Sequence, residues 1–150
     1  MLFRSELMTA THNFGTAPTR GTSAADTFKA ALYLASATIN ASTTAYTATG
    51  EVSGTGYSAG GVTVTNGTPP SSTNTSATAG TGYWTPSASI TYTSVTLTTA
   101  FDTVLIYNST QSNKAVSVHT FGSQTITAGT FTLTMPANTT STALLRLATT

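Results

Sequence analysis

Chemistry would have to come from very few side chains. The chain has two histidines, His12 and His119, four acidic residues, Glu6, Asp26, Glu51 and Asp102, and no cysteine. A zinc site takes three or four ligands at close quarters, and these six residues are scattered along the sequence with no ligand spacing. Glycoside hydrolysis asks for a carboxylate pair; Glu51 with Asp102 is the one pairing to consider, and nothing in the spacing brings them together. A Ser or Thr nucleophile needs a base beside it and a third group to orient that base. Hydroxyls are so frequent here that such a coincidence carries no information. Gly54, Gly56, Gly60 and Gly61 form no phosphate loop, because no Lys-Ser/Thr follows them and no helix pattern opens after them. No catalytic residue, metal ligand or cofactor is assigned, and the sequence reads as a non-enzyme.

The composition bounds the partners. Charged residues make up 6% of the 150 positions, with five Lys+Arg against four Asp+Glu and a formal net charge of +1. Ordinary soluble domains carry roughly 25%. Five dispersed cations make no phosphate-binding stripe, so nucleic acid is not an expected partner. No apolar run approaches the ~18 residues of a membrane span, and Arg4 and Glu6 stand where a signal peptide would place its apolar core. No membrane partner and no export signal are therefore expected. Threonine supplies about a quarter of the chain, far above average usage. It is β-branched and suits a pleated surface.

The stretch that the remainder is organised around is Glu51 to Gly61, E-V-S-G-T-G-Y-S-A-G-G, with four glycines in eleven residues. Glycine reaches positive φ at no steric cost, so the spacing predicts a tight, specifically folded turn with at least one such residue. Val62-Thr63-Val64-Thr65 then alternates as a strand. Before the turn, Asp26–Leu34 is the first strand candidate, with Phe28, Ala30, Leu32 and Leu34 on one face; a short helix is the competing reading, because Ala and Leu favour helix. After it, residues 66–82 read as a low-complexity connection whose prolines and glycines argue against a central strand. Ile90 and Tyr92 fall on even positions, Val95 and Leu97 on odd ones, which predicts a bulge near Thr93-Ser94. Thr103 to Tyr107 is apolar enough to be buried on both faces. Asn108–Asn113 is a turn, and further strands are expected around Val116–Phe121, Gly129–Met135 and Ala143–Leu147. Seven or eight short strands with turn-rich links predict an all-β fold, an antiparallel β-sandwich of jelly-roll-like or Ig-like type.

Residues 1–25 stand apart as an N-terminal arm, and 26–150 as the β-sandwich domain. Leu2, Phe3, Leu7, Met8 and Phe14 are set among polar residues, with no period that would join them to a sheet. The arm is expected to dock on a partner, with Arg4 and Arg20 meeting acidic groups; the alternative is an arm folded back over its own sandwich. Tyr83 and Trp84 are the further candidates for partner contact. Tyr33, Tyr46, Tyr57, Tyr83, Trp84 and Tyr107 are open to several uses, core and rim packing, stacking on a sugar or filling an interface.

Asp26-Thr27-Phe28-Lys29, Ala31-Leu32-Tyr33, Tyr46, Glu51-Val52-Ser53-Gly54-Thr55-Gly56-Tyr57, Ala59-Gly60-Gly61 and Val62-Thr63, continued by Trp84, Leu105-Ile106-Tyr107-Asn108, Phe121-Gly122 and Gly129-Thr130-Phe131-Thr132, resemble a family of small structural proteins of tailed bacteriophage virions. The likeness covers residues 26–147. It departs at Ala100-Phe101-Asp102, where relatives tend to have Ala-Arg-Gly, and at His119-Thr120, where an Asp is common. The resemblance implies a capsid decoration (cement) protein on the outside of the phage head. Its partners would be the major capsid protein and further copies of itself, as a homotrimer at three-fold positions. It would be made in the bacterial cytoplasm and located on the virion surface. The rival reading is a tail-associated or fibre protein that binds a host glycan.

Overall fold

The computed structural model describes residues 11–14, 25–66, 69–73 and 80–148. Two antiparallel sheets build a β-sandwich. The larger has four strands in the order β2-β1-β5-β6, with β1 Phe28–Leu34, β2 Val62–Thr63, β5 Ile90–Asn108 and β6 Lys114–Leu133. The smaller is β3-β4-β7, with β3 Ser71–Ser72, β4 Thr81–Trp84 and β7 Leu145–Ala148.

The alternation of β1 decides its place. Phe28, Ala30 and Leu32 enter the main core beside Trp84, Tyr92, Val104 and Ile106. Ala31 and Tyr33 enter a second cluster with Leu105, Tyr107 and Ala115. Val104, Leu105 and Ile106 are likewise buried on both faces, as the unbroken apolar run predicts. A strand covered on both sides must be central, and β5 sits between β1 and β6.

β5 and β6 run 19 and 20 residues, longer than the separate short strands expected. The phase changes that read as breaks are bulges inside one hairpin. Register shifts occur between Tyr92 and Val95, and Ser94 adopts a positive φ of 53°. An extra residue there moves the inward face from Tyr92 to Val95 and Leu97 without ending the strand. Gly82 also departs from expectation. It lies within the central strand of the small sheet, paired with Leu147, where the nearest atom to an added Cβ, Leu147 O, is 3.9 Å away.

The expected positive φ is present in the glycine-rich turn: 78° at Gly56, 86° at Gly60 and 72° at Gly61. Gly61 has a second constraint. A Cβ there would lie 1.6 Å from the Ala30 carbonyl oxygen, so the turn presses directly on β1.

Candidate functional site

Two polar clusters and one groove stand out, and each begins with residues the sequence singles out. Glu51 follows Gly50 and forms an isolated antiparallel bridge with Tyr33 on the outer side of β1. This fixes its carboxylate under the turn. The Tyr57 hydroxyl and the Gly60 N–H each donate to Oε1 at 2.7 Å, and the Tyr46 hydroxyl donates to Oε2 at 2.6 Å. Tyr57 also accepts the Leu32 N–H at 3.0 Å, and Tyr107 donates to the Gly60 carbonyl at 2.8 Å. Tyr33 donates to Thr47 O at 2.6 Å and Tyr92 to Ala30 O at 2.7 Å. One carboxylate therefore ties two aromatic side chains, Tyr46 and Tyr57, to the Gly60 backbone and, through Tyr57, to β1.

Burial and the Glu51 charge both disfavour tyrosinate. Burial is the main cause that pushes Tyr33 up to about 12, and it raises Tyr46, Tyr57, Tyr92 and Tyr107 as well. These hydroxyls act as fixed donors, not as acids or bases near neutrality. The cluster locks a loop.

The second cluster joins residues far apart in sequence. Asn108, 0% exposed, donates from Nδ2 to Asp26 Oδ2 at 2.7 Å and lies 3.0 Å from His12 Nδ1. Asp26 Oδ2 also accepts the Asn13 N–H at 2.8 Å, and Oδ1 accepts from Gln111 Nε2 at 3.1 Å. The Asn108 side-chain oxygen accepts the N–H groups of Thr110 and Gln111, both at 3.1 Å. This cluster pins residues 12 and 13 against the start of β1 and the β5–β6 turn.

Among the described residues, no three His, Asp or Glu side chains gather as a metal site. His119 lies on β6, 3.0 Å from Ser117 Oγ, with burial lowering its pKa. Asp102 accepts from the Thr103 hydroxyl at 2.7 Å. No hydrogen bond joins Glu51 to Asp102.

The expected contact residues divide three ways. Leu2, Phe3, Arg4, Leu7, Met8 and Arg20 lie outside the described residues. Phe14 and Trp84 are corrections. Phe14 is 6% exposed and stacks on Phe28 at 4.6 Å, with Trp84 4.7 Å from it. Trp84 is 2% exposed, and its Nε1–H donates to Asn66 Oδ1 at 2.9 Å. Both rings close this chain's own core, where aromatic stacking and burial outweigh exposure to a partner. Residues 11–14, assigned to the arm from sequence, thus pack on the sandwich. Tyr83 is half-buried and lines a groove with Arg146 and Leu147.

Comparison with protein-family models, curated proteins and solved structures returns no match.

The sequence missed the hub role of Glu51 and the whole His12–Asp26–Asn108 cluster. A signal for the first exists: Glu51 is one of only four acidic residues, beside the glycine-rich turn. The second joins positions 82 and 96 residues apart, which no local pattern reports.

Proposed function

We propose that this protein is a non-enzymatic structural component of a tailed-bacteriophage virion, a capsid decoration (cement) protein that binds the outside of the head and stabilises it. One observation supports this most. Several of the residues that carry the resemblance meet in the two polar clusters. Glu51, Tyr57, Gly60 and Tyr107 form the loop lock, with Tyr46 beside them. Asp26 and Asn108 form the second cluster. A likeness spread over separate stretches of sequence thus corresponds to one folded unit.

The surface chemistry fits an assembled role. From Ala115 to Leu133, β6 carries no Lys, Arg, Asp or Glu, and it is the last strand of its sheet. Charges are a usual protection of such an edge against pairing. Its lack favours homo-oligomerisation; the trimer comes from the resemblance. The fibre reading keeps only Tyr83 of its aromatic candidates, because Tyr33, Tyr46, Tyr57, Tyr107 and Trp84 are engaged inside the chain.

Mass spectrometry of purified particles of the phage that encodes the chain tests the reading. The protein is expected in intact heads and in tail-less heads alike. Recovery with tails alone would overturn the head assignment, and its lack from particles would overturn the virion reading.

A further inference from the structure

The four sheet ends differ in what they offer to another strand. β2 and β3 are two residues each, and a very short edge is a usual protection against pairing. β6 and β7 are longer. Residues 116–118 of β6 and 145–148 of β7 border one groove, so both edges lie on the same side of the sandwich. β6 is irregular: its register against β5 shifts between Ile106 and Tyr107 and again between Phe101 and Thr103, and bulges of this kind blunt an edge. β7 has no such guard. It pairs with β4 from Trp84↔Leu145 to Thr81↔Ala148 without a shift, holds no proline, and has no described strand on its outer side.

Alternation sets two faces on β7. Leu145 packs against the main core, so Leu147 shares that inner face, and Arg146 and Ala148 lie on the outer one. Leu147 is nonetheless 60% exposed, the only strongly exposed large hydrophobic side chain among the described residues. Its cross-strand partner is the reason. Gly82 stands opposite it and has no side chain to cover a leucine; a Cβ placed there would meet only the Leu147 carbonyl oxygen, at 3.9 Å. An apolar side chain is thus displayed on a straight, unguarded edge.

A second copy of the chain fits this edge. A symmetric contact sets the same strand on both sides. With the two inner faces on one side of the joined sheet, two antiparallel registers overlap three residues of each β7. One sets Arg146 opposite Arg146, and like charges directly opposite are destabilising. The other sets Leu147 opposite Leu147 and Arg146 opposite Ala148, which covers the leucines and separates the charges. The neighbouring β6 carries no Lys, Arg, Asp or Glu from Ala115 to Leu133, so a like copy meets no charge repulsion from that strand.

We propose that β7 is a self-association edge: it pairs antiparallel with β7 of a second copy, Leu147 opposite Leu147, and joins the two three-stranded sheets into one of six strands. The contact gives a surface to the self-association that the charge-free β6 favours. It is two-fold and belongs to the isolated chain, so it depends neither on the head assignment nor on the three-fold arrangement that the resemblance implies.

Sedimentation equilibrium of the full chain, over a concentration series up to millimolar, is expected to show a monomer–dimer equilibrium. Leu147→Asp should weaken it at least tenfold, and should leave the melting temperature of the monomer unchanged because the side chain is largely exposed. The chain has no cysteine, so Leu147→Cys and Ala148→Cys each give one thiol per chain. Directly opposite residues have Cβ atoms ~4.5–5.5 Å apart and diagonal neighbours lie ~7–8 Å apart. Under mild oxidation the first variant should therefore form an interchain disulfide faster than the second. A monomer at every concentration would overturn the proposal, and so would a trimer as the smallest assembly. A dimer that Leu147→Asp leaves intact, or cross-linking no faster at position 147 than at 148, would overturn it as well.

Discussion

The Tyr57 hydroxyl stands between Glu51 and β1: it donates to the carboxylate at 2.7 Å and accepts the Leu32 N–H at 3.0 Å. A single oxygen thereby couples the glycine-rich turn to the central sheet. Tyr57→Phe removes both bonds and strands a backbone N–H in the interior. The expected loss is about 1–3 kcal/mol, read as a lower urea midpoint at unchanged slope. Glu51→Gln should cost at least as much, because the replacement amide nitrogen must face a donor. An unchanged midpoint in both variants would show that the turn holds without the carboxylate.

The turn also makes a steric prediction. Gly61→Ala places a methyl against the Ala30 carbonyl at a φ of 72°, and Gly122→Ala meets nothing within 4 Å. The first should destabilise by more than about 2 kcal/mol, and the second should lie within about 0.5 kcal/mol of the parent. Thermal unfolding of the pair checks this, with Gly122 controlling for the generic effect of losing a glycine.

Alkaline pH should loosen the same region. A tyrosine whose folded pKa is raised contributes its stability in full below the unfolded value of 10.0 and loses it as pH climbs through the folded value. Burial pushes Tyr33 up to about 12, and Tyr46, Tyr57, Tyr92 and Tyr107 are shifted the same way. Stability should fall from pH 10 towards 12. Urea melts across that window measure the slope, and Tyr33→Phe should make it shallower.

Local alternation made much of this fold legible. The two-faced burial of Leu105 and Ile106, the bulge at Ser94 and the positive φ of the glycine turn all follow from spacing within a few residues. Strand length did not, because a bulge and a strand end produce the same phase change. Trp84 and Phe14 were misassigned for a related reason. A large aromatic in a polar, irregular stretch has no period to say which way it points, and only the position of Phe28 does. The His12–Asp26–Asn108 cluster was illegible because its members are brought together by the sheet alone.

The fold-back of residues 11–14 gives a further expectation. Phe14→Ala removes a ring packed between Phe28 and Trp84, and should cost about 3–5 kcal/mol. Deleting residues 2–10 keeps that ring and should change the melting temperature much less. Differential scanning calorimetry of the two variants separates a structural Phe14 from a dispensable one.

The most direct measurement for the head assignment is a cryo-EM reconstruction of phage heads with and without the purified protein added. Added protein is expected as a discrete density on the outer surface at symmetry-related positions. The four-stranded and three-stranded sheets should fit that density, and neighbouring copies should touch. Heads that stay bare at saturating protein, or density confined to the tail, would contradict the capsid decoration role.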